Sequence, residues 1–214
     1  MFKFTRNEIR DLIISFLVIS LGFAIMFSNG TFSSLELLLP ISMVGVGIGF
    51  IFHEIAHKLS SMHYGYWAEY KLWAPGLVLA LVSALFFGIM FAAPGAVYTY
   101  GNNVSKEQNG IISLAGPVTN IAIALIFLLI SVLIYPLAFQ NSIIALIFLT
   151  LSIGFSINSF LAVFNLLPFG GLDGSKVLRW NPIIWIISIA IAGIMTYFSM
   201  TLGVETIVRM ILGI

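Results

Sequence analysis

The chain has 214 residues, 60% of them hydrophobic and only 8% charged, against roughly a quarter charged in an ordinary soluble domain. A water-soluble globule of this size is excluded, and a formal net charge of +1 offers no basic patch for nucleic acid. Cysteine is absent, which removes disulfides, thiolate metal sites and thiol nucleophiles and leaves His and carboxylate to hold any metal.

Six apolar stretches follow one another, over 12–27, 37–62, 77–93, 111–139, 143–164 and 183–200. Several match the roughly 20 residues that a helix needs to cross the hydrocarbon. The expected fold is therefore an all-α polytopic membrane protein with five or six transmembrane helices, a single integral-membrane unit over 1–214 with short joins. The first stretch follows Lys3, Arg6 and Arg10 but has no small-residue cleavage site before the polar turn at Ser28, Asn29 and Gly30, so it reads as a retained helix.

Inside the second stretch lies His53, Glu54, Ile55, Ala56, His57. An ionisable group at membrane depth is expensive and marks function by default. His53 and His57, four apart, project from one helix face and can share one metal. Glu54 then leans over the same site as a general base, the H-E-x-x-H arrangement of zinc hydrolases. The remaining acids other than Asp173 are expected in polar joins, the tail or at segment ends, where water can reach them.

Two histidines leave zinc short of its usual three protein ligands. His63 stands ten residues after His53, but the tight turn that would bring it back needs Gly where this chain has Ser60. Glu69 sits in an aromatic and charged join, 64–71, that reads as a membrane-surface belt. Asp173 is the strongest candidate, because Pro168, Gly170 and Gly171 break the fifth helix and let the backbone bend back toward the bundle. The alternative is that Asp173 only caps the next helix, over 174–178.

These residues carry a resemblance. His53, Glu54 and His57 in one membrane helix, Ala115, Gly116, Pro117 and Asn120 opening a later one, and Asn165, Pro168, Leu172, Asp173 and Gly174 after the next together resemble the site-2 protease family of intramembrane zinc metalloproteases. The resemblance implies one zinc per chain on His53, His57 and Asp173, with Glu54 as the catalytic base. Asn120 and Asn165 would be supporting polar groups near the site, Asn120 at the oxyanion or as a bridge between helices. The soluble PDZ or CBS domains of many members have no room here, and the apolar stretch 77–93 is longer than expected before the Gly-Pro segment.

Topology gives an independent check. If all six stretches span, Asp173 and Glu54 lie on opposite sides of roughly 30 Å of hydrocarbon. If 77–100 instead enters and returns, both fall on one side. Lys3, Arg6, Arg10, Lys58, Lys71, Lys106, Lys176 and Arg179 are then all cytoplasmic and only Arg209 is outside, as the positive-inside rule favours. The N-terminus is thus expected in the cytoplasm, and the compact chain suits a prokaryotic plasma membrane. Pro94 and Gly95 mark the re-entrant break. Ala96, Val97, Tyr98 and Thr99 favour an extended run, a short β-like edge near 94–100, able to pair with an unwound substrate or to pack as an ordinary loop.

The expected function is hydrolysis of peptide bonds in or near transmembrane segments of other proteins, which would be the partners together with the lipid bilayer. The alternative is a divalent-cation transporter or metal-binding membrane protein using the same ligands, although no internal repeat of the transporter kind is visible.

Overall fold

The computed structural model describes residues 3–29, 31–91, 93–101 and 103–214. Gly30 of the expected polar turn, Ala92 of the third apolar stretch, and Asn102 lie outside the described residues. Helix α1 (Arg6–Ser28) opens on a capping box: the Thr5 side chain accepts from the Glu8 N–H, and the Glu8 carboxylate accepts from the Thr5 N–H. A short 3-10 turn leads into α2 (Leu35–His63), then β1 (Trp67–Leu72), α3 (Ala74–Phe87) and β2 (Gly95–Tyr100). The chain continues through α4 (Lys106–Ala138), α5 (Ser142–Asn165), α6 (Asp173–Trp180), α7 (Pro182–Thr201) and α8 (Val204–Leu212). Five of these helices, α1, α2, α4, α5 and α7, are long and apolar enough to cross a membrane. Their outward faces bear exposed side chains such as Leu129, Leu133, Ile143, Ile186 and Ile194, as lipid contact requires. This is an all-α polytopic membrane fold with one small sheet.

The third apolar stretch departs from the other five. Its helix, α3, has 14 residues, which at 1.5 Å each is about 21 Å, too short to span. Gly88 ends it in a left-handed conformation beside Met26 and Ser28 of α1. The chain then turns back past α1, and the Trp73 N–H donates to Pro94 O at 2.7 Å. The two ends of the excursion therefore meet, and the segment is re-entrant. β2 pairs antiparallel with β1, Tyr70 opposite Val97 and Ala68 opposite Thr99. The join expected to be a plain aromatic belt is thus a strand from Trp67 to Leu72, because β2 folds back to supply its ladder partner.

The expected solvation of the outlying acids fails at Glu8 and Asp11, which are buried. Glu8 pairs with the equally buried Lys58 at 2.5 Å and accepts from the Tyr70 N–H, while Asp11 accepts from the Leu72 N–H. Lys58 also lies over the Phe4 and Trp67 rings. Two acids one turn apart on α1 thereby cover the outer edge of β1. Beside the local contacts with Thr5 and Arg10, the partners Lys58, Tyr70 and Leu72 lie 50 or more residues away, so nothing local in the sequence announces the burial.

Candidate metal centre

His53 and His57 occupy the inner face of α2, ten and six residues before its end at His63. At 1.5 Å per residue His53 lies roughly 15 Å in from that end. Both side chains are buried, as are Glu54 and Asp173. The His53 and His57 Nε2 atoms are 2.9 Å apart, and Asp173 Oδ2 lies 3.5 Å from the first and 3.1 Å from the second. Around a tetrahedral zinc with ligands near 2.05 Å, neighbouring donors are separated by roughly 3.3 Å, so the three atoms already stand at coordination spacing. They are a group that could hold a metal.

Asp173 reaches them because the chain turns sharply after α5 and α6 starts at Asp173 itself. The cap position belongs to Leu172, with no side-chain capping bond, so the capping alternative is not what the carboxylate does. Its Oδ1 faces Lys176 Nζ at 3.6 Å. α6 runs on to Trp180, two residues past the expected end.

The protons on the imidazoles are fixed by what lies behind them. His57 Nδ1 faces the carbonyl of Ile112 at 2.7 Å, which can only accept, so Nδ1 carries the hydrogen. His53 Nδ1 faces Asn120 Oδ1 at 2.5 Å. Asn120 donates both amide hydrogens elsewhere, to Gly49 O at 3.2 Å and Asn158 Oδ1 at 3.0 Å, so His53 also carries its hydrogen on Nδ1. With both imidazoles neutral, their Nε2 lone pairs converge on one point, a repulsive arrangement that a cation relieves. Gly116 makes room for it: a Cβ there would come within 2.4 Å of His57 Nε2 and 2.6 Å of His53 Nε2. Glu54 Oε2 is buried without a hydrogen-bond partner among the described residues, as a carboxylate would be that serves a water beside the metal. The donor set and its surroundings fit zinc.

The four groups open onto a cavity of about 520 Å³, walled on one side by β2 from Gly95 to Thr99 and on another by Phe164, Asn165 and the 169–172 turn. Asn165 lines it, with its amide donating to Leu161 O at 2.9 Å. Ala96, Val97, Tyr98 and Thr99 line it as well. Asn120 does not; it is wholly buried behind His53 as a bridge between helices. His63 lies at the end of α2 against Tyr64, and Glu69 accepts from the Thr5 hydroxyl, so neither joins the cluster. Sequence reading passed over Asn158, Lys176 and the Ile112 carbonyl. A backbone carbonyl leaves no trace in residue types, but Asn158 had a signal: it is an amide in an apolar helix, two turns before Asn165 and on the same face.

No family model matches the chain, and no solved structure matches it. Among known proteins, one from Methanocaldococcus jannaschii named "Putative zinc metalloprotease MJ0611" is 44% identical over 197 residues, which cover 92% of this chain and 96% of that one. The chain belongs to the same protein family. As a membrane-embedded member of that zinc metalloprotease family, it brings His53, His57 and Asp173 together inside a bundle of apolar helices.

Proposed function

We propose that this metalloprotease is an intramembrane enzyme of the site-2 protease type, cutting peptide bonds in or near transmembrane segments of other proteins. The observation that carries the reading is the depth of the converging donors: His53 and Asp173 meet a full two turns and more below the end of α2, in a cavity bounded by apolar side chains. A substrate reaches that depth only from within the bilayer or by unwinding into it.

His53, His57 and Asp173 would hold one zinc per chain. Bound there, the ion supplies a Lewis acid that polarises the scissile carbonyl and makes water a nucleophile at neutral pH. Glu54 would take a proton from the attacking water as its oxygen adds to the carbonyl carbon, and would pass it to the nitrogen as the C–N bond breaks. Asn165, lining the cavity, is the side chain we assign to support the substrate carbonyl. Asn120 we assign to orienting His53.

A helical peptide must unwind to be cut, and its freed N–H and C=O groups then need partners away from water. Because the Tyr70 and Leu72 N–H groups turn to α1, alternation along the ladder directs Glu69 and Lys71 toward β2. The Val97 and Thr99 N–H groups then point to the opposite edge, which borders the cavity. We assign that edge to pairing with the substrate. The N-terminus and the sheet end of the bundle belong, in this reading, to the cytoplasmic side of a prokaryotic plasma membrane. The test is cleavage of single-span substrates by purified protein in lipid, with zinc and with chelator; activity that survives chelation would sink the reading.

A further inference from the structure

We propose that Asn158 is a positioning residue of the metal centre, acting through Asn120 to lock His53 in the tautomer that can bind zinc; this rests on the reading of the site just given. Asn158 lies on α5, fully buried in the middle of a membrane-spanning helix. Its orientation is dictated by groups that can only accept. Its amide donates to Gly154 O at 2.8 Å and Gly45 O at 3.4 Å, so its Oδ1 must turn the other way, toward Asn120 Nδ2 at 3.0 Å.

That acceptor, together with the Gly49 carbonyl at 3.2 Å, decides which way Asn120 faces. An asparagine has a near-symmetric alternative in which oxygen and nitrogen exchange places. Flipped, Asn120 would present its NH₂ group to His53 Nδ1, the hydrogen would have to leave Nδ1 for Nε2, and the zinc-facing lone pair would be lost. The flip would also set the Asn120 oxygen against both Asn158 Oδ1 and Gly49 O, acceptor against acceptor. A polarity thus runs in one direction across three helices, from the Gly154 and Gly45 carbonyls through Asn158 and Asn120 to His53. His57 needs no such relay, since the Ile112 carbonyl fixes it in one step. Gly49 leaves the necessary space: a Cβ there would stand 2.6 Å from Asn158 Oδ1.

The experiment is a double-mutant cycle on the full chain, reading the zinc dissociation constant by chelator competition and the visible spectrum of the cobalt-substituted protein, with thermal unfolding as a check of folding. Asn158→Leu should weaken zinc about tenfold, as loss of an outer-shell partner does, and alter the cobalt spectrum. Asn120→Leu should do at least as much, and the double variant should be no worse than Asn120→Leu alone, because both act through one path. A merely structural role for Asn158 would lower the unfolding temperature and leave the zinc constant within twofold of wild type, or would give penalties that add; either result overturns the proposal. Should Asn158→Leu fail to fold, Gly49→Ala presses on the same oxygen without removing it, and an unchanged zinc constant there overturns it equally. Failure of the wild-type protein to bind zinc would instead refute the underlying site assignment, and it shows before any variant is made.

Discussion

At the scale of single residues, the proposed centre separates the groups assigned to the metal from the group assigned to the proton. Glu54 is next to His53 in sequence, yet it lies outside the three-atom cluster and its Oε2 has no hydrogen-bond partner among the described residues. Glu54→Gln should therefore retain zinc while turnover falls by about 10²-fold or more, measured as metal content and cleavage on one preparation. Asp173→Ala should lose both zinc and activity and His63→Ala neither; the reverse pattern would move the third ligand to His63. Gly116→Ala tests the space between the imidazoles. Its methyl would meet both Nε2 atoms within 2.6 Å, closer than real carbon contacts, so zinc content should drop even though no ligand is touched.

Secondary elements explain how so short a chain builds a deep site. α2 supplies two donors one turn apart, α4 covers them through Gly116, Ile112 and Asn120, and α6 delivers the carboxylate from a different direction. The re-entrant unit adds β2, which has β1 on its outer edge and no strand on its inner edge among the described residues. Proline at Val97 or Thr99 removes an N–H that points to the cavity. Cleavage of a helical substrate should fall in at least one of these variants with zinc content intact, and substrates carrying helix-breaking residues near the cut should lose less. Proline at Tyr98 removes an N–H from the β1–β2 ladder instead, and should lower the thermal stability of the whole protein. Wild-type cleavage by both Val97→Pro and Thr99→Pro would remove the edge from the substrate path.

For the molecule as a whole, the return of the chain at Trp73 and Pro94 puts the α4 start, the α5 end and α6 at the same end of the bundle as the α2 end. Single cysteines can report this without background, since none is native. Cysteines at the exposed positions Asn103 and Arg179 should label from one side of sealed vesicles, and one at Ser142 from the other. Labelling of Asn103 and Arg179 from opposite sides would mean that α3 spans. The buried Glu8–Lys58 pair ties this end together across α1, α2 and β1. Glu8→Ala leaves the Lys58 ammonium in a dry site without this carboxylate, which should cost about 3 kcal/mol or more, read from unfolding in detergent.

Length, hydropathy and spacing alone determined that this is a polytopic membrane protein with His53, Glu54 and His57 on one helix, because helix period and the cost of burying charge in hydrocarbon act locally. The bend before Asp173 was legible for the same reason, through Pro168 and its glycines. Whether Asp173 caps α6 or meets the histidines depended on where α6 docks, and that contact joins residues more than a hundred apart. Tertiary structure also decided that Glu8 and Asp11 are buried, that 67–72 is a strand, and that Asn120 stands behind His53 with Asn158 behind it. A buried polar group is acceptable only when distant groups satisfy it, and sequence does not show which distant groups those are until the chain has folded.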